Sequence, residues 1–209
     1  DQLGFAVIPG GTQRFHLHFK KPALNDGIET YVQIQLANSA NGYIIVTVST
    51  TPGITFGGTV NGTKVLTASA AGGNVTFSGA VGATQALGAL TVNSTGATTF
   101  SSTVSAASVT TNTGGTTAIN GGAITTSGAQ TFNDAVTLGA ATTLNTTNSN
   151  IAFASTLNSS SSSRALTIGA GTGSVTFTGA VGGSLALGAT NITAGTTTNS
   201  STLVGSGVY

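Results

Sequence analysis

The chain of 209 residues has no cysteine, methionine or tryptophan and only 3 prolines, and charged side chains occupy just 4% of its positions. Each shortage excludes something. Without cysteine there are no disulfides and no thiolate metal sites. The charge content is far below the rough quarter of an ordinary soluble domain, and the net charge is +1. There is therefore no electrostatic case for nucleic acid or an anionic membrane as partner. No apolar run approaches the roughly 18–20 residues of a membrane-crossing helix. The chain opens at Asp1 without Met, which reads as a mature product or an excised fragment whose export signal would be missing.

What is present is small and β-prone. Gly alone accounts for 31 residues, and hydrophobic residues make up 39% of the chain. Disordered chains are charge-rich and poor in β-branched residues. Here short Val, Ile and Thr runs are broken by Gly and Asn, the pattern of strands and turns. The expectation is an ordered all-β chain. The few charges are unevenly spread: Asp1, Arg14, Lys20, Lys21, Asp26, Glu29 and Lys64 come first, and only Asp134 and Arg164 follow.

The later part is a repeat. Gly73–Ala89 reads GNVTFSGAVGATQALGA, and Gly173–Ala189 reads GSVTFTGAVGGSLALGA, a match without a gap. A shorter unit lies inside. Of the nine Phe, six head the motif [IV]-x-F-x-x-[AT]-[VL]: Phe56 with Val60, Phe77 with Val81, Phe100 with Val104, Phe132 with Val136, Phe153 with Leu157, and Phe177 with Val181. Their spacing is nearly regular except for one long interval, from Phe100 to Phe132. Ile54, Val75, Ile151 and Val175 stand two positions before four of them.

Side chains alternate along a strand, so positions i−2, i and i+4 of the motif share a face. The six Phe and their six Val or Leu partners are the expected core ladder. Stacked at about 4.8 Å per coil, they would line up Phe on Phe and Val on Val. The residue between, Gly58, Gly79, Ser102, Asp134, Ser155 or Gly179, is small or turn-prone and reads as a bend. A second strand signal follows most motifs, as in Val65–Thr67, Ala89–Val92, Ser108–Thr110 and Ala165–Ile168. Units of about 21–24 residues with two or three strands fall in the solenoid range. The long interval holds TTAINGGAITT, where Ile119 and Ile124 form either an extra partial rung or an extended loop.

The division expected is an N-terminal β cap or partial β-sandwich over residues 1–52 and a β-strand repeat solenoid over 53–209, joined at Pro52-Gly53. Strand candidates in the first part are Leu3–Ile8, Arg14–Lys20, Ile28–Leu36 and Tyr43–Val48. About 50 residues make a small independent core, so a partner segment or chain would complete it. Leu3, Phe5 and Val7 form an alternating apolar run that suits an assembly strand donated to a neighbour, a form of β-augmentation.

The runs VTFSGAV, ALTV, GGTTAINGGAITTSGAQTFNDAVTLGAATTL and VTFTGAV resemble the β-strand repeats of filamentous haemagglutinin-like and other giant bacterial surface proteins, including autotransporter passengers. The resemblance covers roughly residues 54–200. It implies a β-helix, an extracellular or cell-surface location, and a role in adhesion, biofilm or matrix contact. The family has no shared catalytic residues to carry over, and its N-terminal secretion-recognition domain is not recognisable in this sequence, which leaves the export route open.

Few residues offer chemistry. His16 and His18 share a strand face, but two ligands beside Arg14 and Lys20 make a poor zinc site. Acid–base catalysis needs positioned carboxylates or histidines, and Asp134 is the one acid after Glu29; at a bend it suits turn chemistry. Calcium needs clustered carboxylates, and the Gly-Gly pairs lack the Lys-Ser/Thr of a phosphate loop. No enzyme activity, cofactor or metal is expected. The Asn-x-Ser/Thr triplets at Asn61, Asn74, Asn93, Asn145, Asn158, Asn191 and Asn199 arise readily by chance in such a composition. The expected function is an extracellular structural or adhesive segment that contacts neighbouring repeats and a host or matrix surface. The alternative is a filament subunit that self-associates through strand edges or its N-terminal strand. A glycan-binding tail-fibre piece, using Tyr31 or Tyr43, and an ice-binding module built on Thr-x-Thr are minor alternatives.

Overall fold

In the computed structural model, residues 12–18, 31–37, 43–48, 53–202 and 204–208 are described. Alternating small and apolar residues with frequent Gly leave no basis for helix, and every described element is a strand. None is a helix long and apolar enough to cross a membrane. Three strands come first: β1 (Thr12–His18), β2 (Tyr31–Ala37) and β3 (Tyr43–Val48). The described residues from Gly53 onward form a β-solenoid of about 7 turns.

Coil by coil, the strands are β4 (Gly53–Phe56) and β5 (Val65–Ala70); β6 (Asn74–Phe77) and β7 (Leu87–Ser94); and β8 (Ala97–Phe100) and β9 (Val104–Thr111). Then come β10 (Thr116–Ile119), β11 (Ala123–Thr126) and β12 (Gln130–Phe132), followed by β13 (Ala135–Leu138), β14 (Thr142–Thr146) and β15 (Ile151–Phe153). The last are β16 (Leu157–Ser159), β17 (Leu166–Gly169) and β18 (Ser174–Phe177), then β19 (Leu187–Thr193), β20 (Thr196–Asn199) and β21 (Gly205–Val208).

All strand pairings from β3 onward are parallel, each strand lying on its counterpart one coil away. Three faces result. The first stacks β4, β6, β8, β10, β13 and β16. The second runs through Val60, Val81, Val104, Ile124, Leu144, Ile168 and Ile192. The third runs through Leu66, Leu90, Val109, Gln130, Ile151, Val175 and Thr197. Strand β9 bends across two faces, pairing β11 with its first half and β12 with its second, which joins the second and third faces into one 15-stranded sheet.

One continuous core fills the coil. It runs from Ile54 to Leu187 and contains five of the motif Phe at 2% exposure or less. At the N-terminal end, β3 lies parallel on β5, so residues 43–48 extend the third face, and β2 and β1 add antiparallel strands beyond. The strands at 12–18 and 31–37 overlap the expected 14–20 and 28–36, of which residues 19–20 and 28–30 lie outside the described residues. The Leu3–Ile8 strand expectation, with Leu3, Phe5 and Val7, lies outside the described residues.

Candidate functional site

Each motif supplies two inward side chains on a short strand, then a bend, then a third inward side chain on the next face. At Val75-Thr76-Phe77, burial alternates so that Val75 and Phe77 point inward and Thr76 outward. The bend at Gly79 turns the chain, and Val81 enters the next face, bridging Val60 and Val104. Bulk is excluded at that bend: a Cβ on Gly79 would lie 2.5 Å from the carbonyl carbon of Gly58, and one on Gly179 would lie 2.5 Å from that of Ser155. At Gly58, where no coil lies beyond among the described residues, the same position is open.

The six Phe do not form one ladder. They form two stacks of three on different faces. On the first face, ring centroids of Phe56 and Phe77 are 4.7 Å apart and those of Phe77 and Phe100 are 5.4 Å apart. That column continues downward as Ile119 and Leu138. On the third face, Phe132, Phe153 and Phe177 stack at 5.2 Å per step, beneath Val92 and Thr111. Planes tilt by 6–20° in all four pairs, and the spacing follows the strand-to-strand repeat that the backbone imposes.

The long interval between Phe100 and Phe132 causes the change of face. From Phe100, one full coil reaches Ile119 on the same face. A further part-coil carries the chain through β11 to Phe132 on the third face. TTAINGGAITT is thus neither a loop nor an appendage, since Ile119 and Ile124 are fully buried members of two faces. In the coils where Phe occupies the first face, the third-face column that later holds Phe132 carries the smaller Ala68, Val92 and Thr111.

The consequence reaches the longer repeat. VTF at 75–77 lies on the first face, Val81 on the second and β7 on the third. In the second copy, VTF at 175–177 lies on the third face, Val181 bridges Leu157 on the first, and β19 lies on the second. The same sequence folds alike with every part moved by one face. The Val and Leu of the motif follow suit: Val60, Val81 and Val104 make one column, and Val136, Leu157 and Val181 make another.

A buried polar seam accompanies the transition. Asp134 is 2% exposed. Its Oδ1 accepts a bond from the Gly115 N–H at 2.9 Å, and the Thr117 hydroxyl donates to Oδ2 at 3.4 Å. Burial pushes its pKa above the ordinary carboxylate value, and the two hydrogen bonds offset part of that rise. Thr98 lies in register with Thr117, and both are fully buried. The Oγ1 atoms of Thr98 and Thr111 find no partner among the described residues. Gln130 is also fully buried and donates through Nε2 to Ile124 O, Thr126 Oγ1 and Asn145 O, tying coils together where the stack changes face.

Sequence reasoning missed the asparagines. Asn61, Asn74, Asn148, Asn150 and Asn158 accept, through Oδ1, a backbone N–H of the next coil at Thr84, Ala97, Thr172, Ser174 and Ser184. They replace ladder bonds at corners, where strands stop. Three of them head Asn-x-Ser/Thr triplets; the signal that distinguishes them is a position at the corner between two strand motifs.

Outside, the faces are almost uncharged. Over residues 53–202, Lys64, Asp134 and Arg164 are the only charged residues. Thr67, Thr91, Thr110 and Thr131 occupy one outward column of the third face, resumed after Ala152 by Thr176 and Thr198. This is a single Thr column and not a Thr-x-Thr pair repeated per coil. Among the described residues no three His, Cys, Asp or Glu converge. His16 and His18 are placed in β1, opposite Gln33 and Tyr31 of β2. No family model matches the chain, and no curated protein or solved structure resembles it significantly.

Proposed function

We propose that the chain is an extracellular structural or adhesive β-repeat protein, a section of a bacterial surface adhesin or matrix fibre. The observation that carries this reading is a single unbroken core enclosed by nearly uncharged faces. Seven turns at about 4.8 Å each form a rigid section of roughly 34 Å. Such a rod serves to hold binding parts at a distance, and its one described carboxylate is buried in the core, away from any substrate. The most direct test is functional: the purified chain displayed on inert beads should bind matrix polysaccharide or host surface material without altering it. Turnover of any such polymer, abolished by Asp134→Asn, would overturn the reading.

A second reading is a filament subunit, favoured by one specific observation. Strand β4 ends the first-face sheet with its outer edge unpaired among the described residues, and β20 and β21 end the other two faces. Open parallel edges are templates for further strands. Sedimentation at micromolar concentration separates the two: discrete monomers favour the spacer, and micrometre fibres favour the filament.

A further inference from the structure

Every strand from β4 to β19 presents at least one apolar side chain to the core, even where it also presents a polar one. Thr98 shares its strand with Phe100, Thr117 with Ile119, Gln130 with Phe132 and Thr142 with Leu144. Strand β20 breaks that rule. Its parallel register sets Thr197 on Val175 and Asn199 on Phe177. Both of its inward positions are therefore polar. All four residues of β20 are exposed, whereas Val175 and Phe177 beneath them are 0% and 2% exposed.

The neighbouring second face thins in the same coil. Gly205 of β21 lies in register with buried Leu187, and Gly207 with buried Thr190, so neither position carries a side chain forward along its column. Ile192 and Ala194 are only partly buried against the core. In sequence, Thr197-x-Asn199-x-x-x-Leu203 is the unit Val175-x-Phe177-x-x-x-Val181 with its first two core residues made polar; Leu203 lies outside the described residues. Among the described residues Val204 is the one large hydrophobic that is exposed, and a single such residue is ordinary on a protein surface.

We propose that β20 is a polar cap that closes the hydrophobic core on the third face and keeps a second copy of the chain from stacking end-on there. The backbone edge of β20 still offers hydrogen bonds. A strand laid on it, however, would set its own core side chains on Thr197 and Asn199. Both would lose water, and apolar side chains above them would offer no partner; burying an unpaired hydroxyl or amide opposes association. Asn199 is already turned to its own corner, where Oδ1 accepts the Ser201 N–H at 3.2 Å. Asn148 and Asn150 instead reach the following coil. Stacked repeats need a polar outer face at their ends to stay in solution. A head-to-tail filament requires an accepting surface at each end, so this inference goes beyond the two readings above and favours the spacer.

The test restores apolar residues at the cap. Thr197→Val/Asn199→Phe rebuilds the Val-x-Phe of β18 at the inward positions. Thr196→Val/Thr198→Phe puts the same two residues at the outward positions of the same strand. All four sites are exposed, so the existing core is left intact, as far-UV circular dichroism matching the parent would verify. Sedimentation equilibrium then compares the masses at equal concentration. The expected result is a concentration-dependent rise to at least twice the parent's mass for the inward variant, with the outward variant at the parent value. Asn199→Leu alone should move the mass in the same direction. An inward variant no heavier than the parent would overturn the cap, because polarity at those positions would not be what closes the end. Equal association of the inward and outward variants would also overturn it, since added surface hydrophobicity would then be the whole effect. A parent that is itself assembled, and falls to the 20.2 kDa monomer on Thr197→Lys/Asn199→Lys, would overturn it by showing this end to be a contact.

Discussion

Ile119→Ala is the substitution that most directly probes the change of face between the two aromatic stacks. Ile119 is 1% exposed and lies in register between Phe100 and Leu138. Removing three carbons forfeits about 2.4 kcal/mol of transfer free energy at about 0.8 kcal/mol per methylene. The cavity left in a stacked coil that cannot collapse adds roughly 1–2 kcal/mol, which brings the cost near 4 kcal/mol, within the usual range for such truncations. Ile124→Ala, fully buried between Val104 and Leu144, should cost about the same, and Ile119→Val about 1 kcal/mol. Thr125, outward and exposed beside Ile124, is the control: Thr125→Ala should stay within about 0.5 kcal/mol. The assay is urea denaturation followed by far-UV circular dichroism, with the slope held constant so that midpoint shifts report stability. Ile119 and Phe100 are register neighbours, so the Phe100→Ala/Ile119→Ala double variant should depart from additivity by at least about 0.5 kcal/mol. If Ile119→Ala and Ile124→Ala are as mild as Thr125→Ala, residues 113–129 are a loop, and the two-stack arrangement is wrong.

Phe77→Ala, at the centre of the first stack, should destabilise by about 3–5 kcal/mol, whereas exposed Thr178→Ala should do little; equal mildness in denaturation curves would refute the inward aromatic stack. Asp134 has a raised pKa in the fold because it is buried, so the folded state holds its proton more tightly than the unfolded chain does. Its contribution to stability is then largest below the ordinary carboxylate value and is lost as pH rises from there through the raised value. The parent should lose stability over that interval while Asp134→Asn stays flat and is at least as stable at neutral pH, as read from thermal midpoints across pH. Asn74→Ala removes the acceptor for the Ala97 N–H and should cost about 1 kcal/mol, with faster hydrogen exchange confined to Ala97 and its neighbours. Gly179→Ala puts a methyl group into the backbone of Ser155 and should destabilise far more than Gly57→Ala, where the space is open.

The coil was readable because its rule is local. An aliphatic residue, a Phe two positions on and a Val or Leu four beyond that must share a core if the chain alternates, and that requirement alone gives strand, bend and strand. The choice of face was not readable, because it is set by the length of chain around a coil, which no local pattern marks. The shorter coil from Thr98 to Thr117 and the longer one from Leu66 to Leu90 carry no distinguishing signature. The long Phe100–Phe132 gap was visible, but only the pairing of Ile119 with Phe100 and of Phe132 with Thr111 shows how it divides. The corner asparagines were hidden for a related reason. Asn is common in every loop here, and only its place relative to the coil below turns a turn residue into a bridge.

The rotated copy bears on what kind of object this is. If each face demanded its own sequence, the segment 175–192 could not have moved by one face relative to 75–92 and still bury Val175, Phe177, Val181 and Leu187 at 3% or less. The three faces are therefore nearly equivalent as environments, and the requirement on each is only one large or two moderate apolar side chains per level. Stability in such an array comes from neighbour-on-neighbour stacking repeated along the axis, so the outward positions are free to vary without cost to the core. That freedom separates what holds the rod together from what its surface meets. It also makes the ends the only places where the array is not self-satisfying. Among the described residues, the first-face edge is where this shows: Phe56 is only partly covered, whereas the five other motif Phe are enclosed by coils on both sides or by the core.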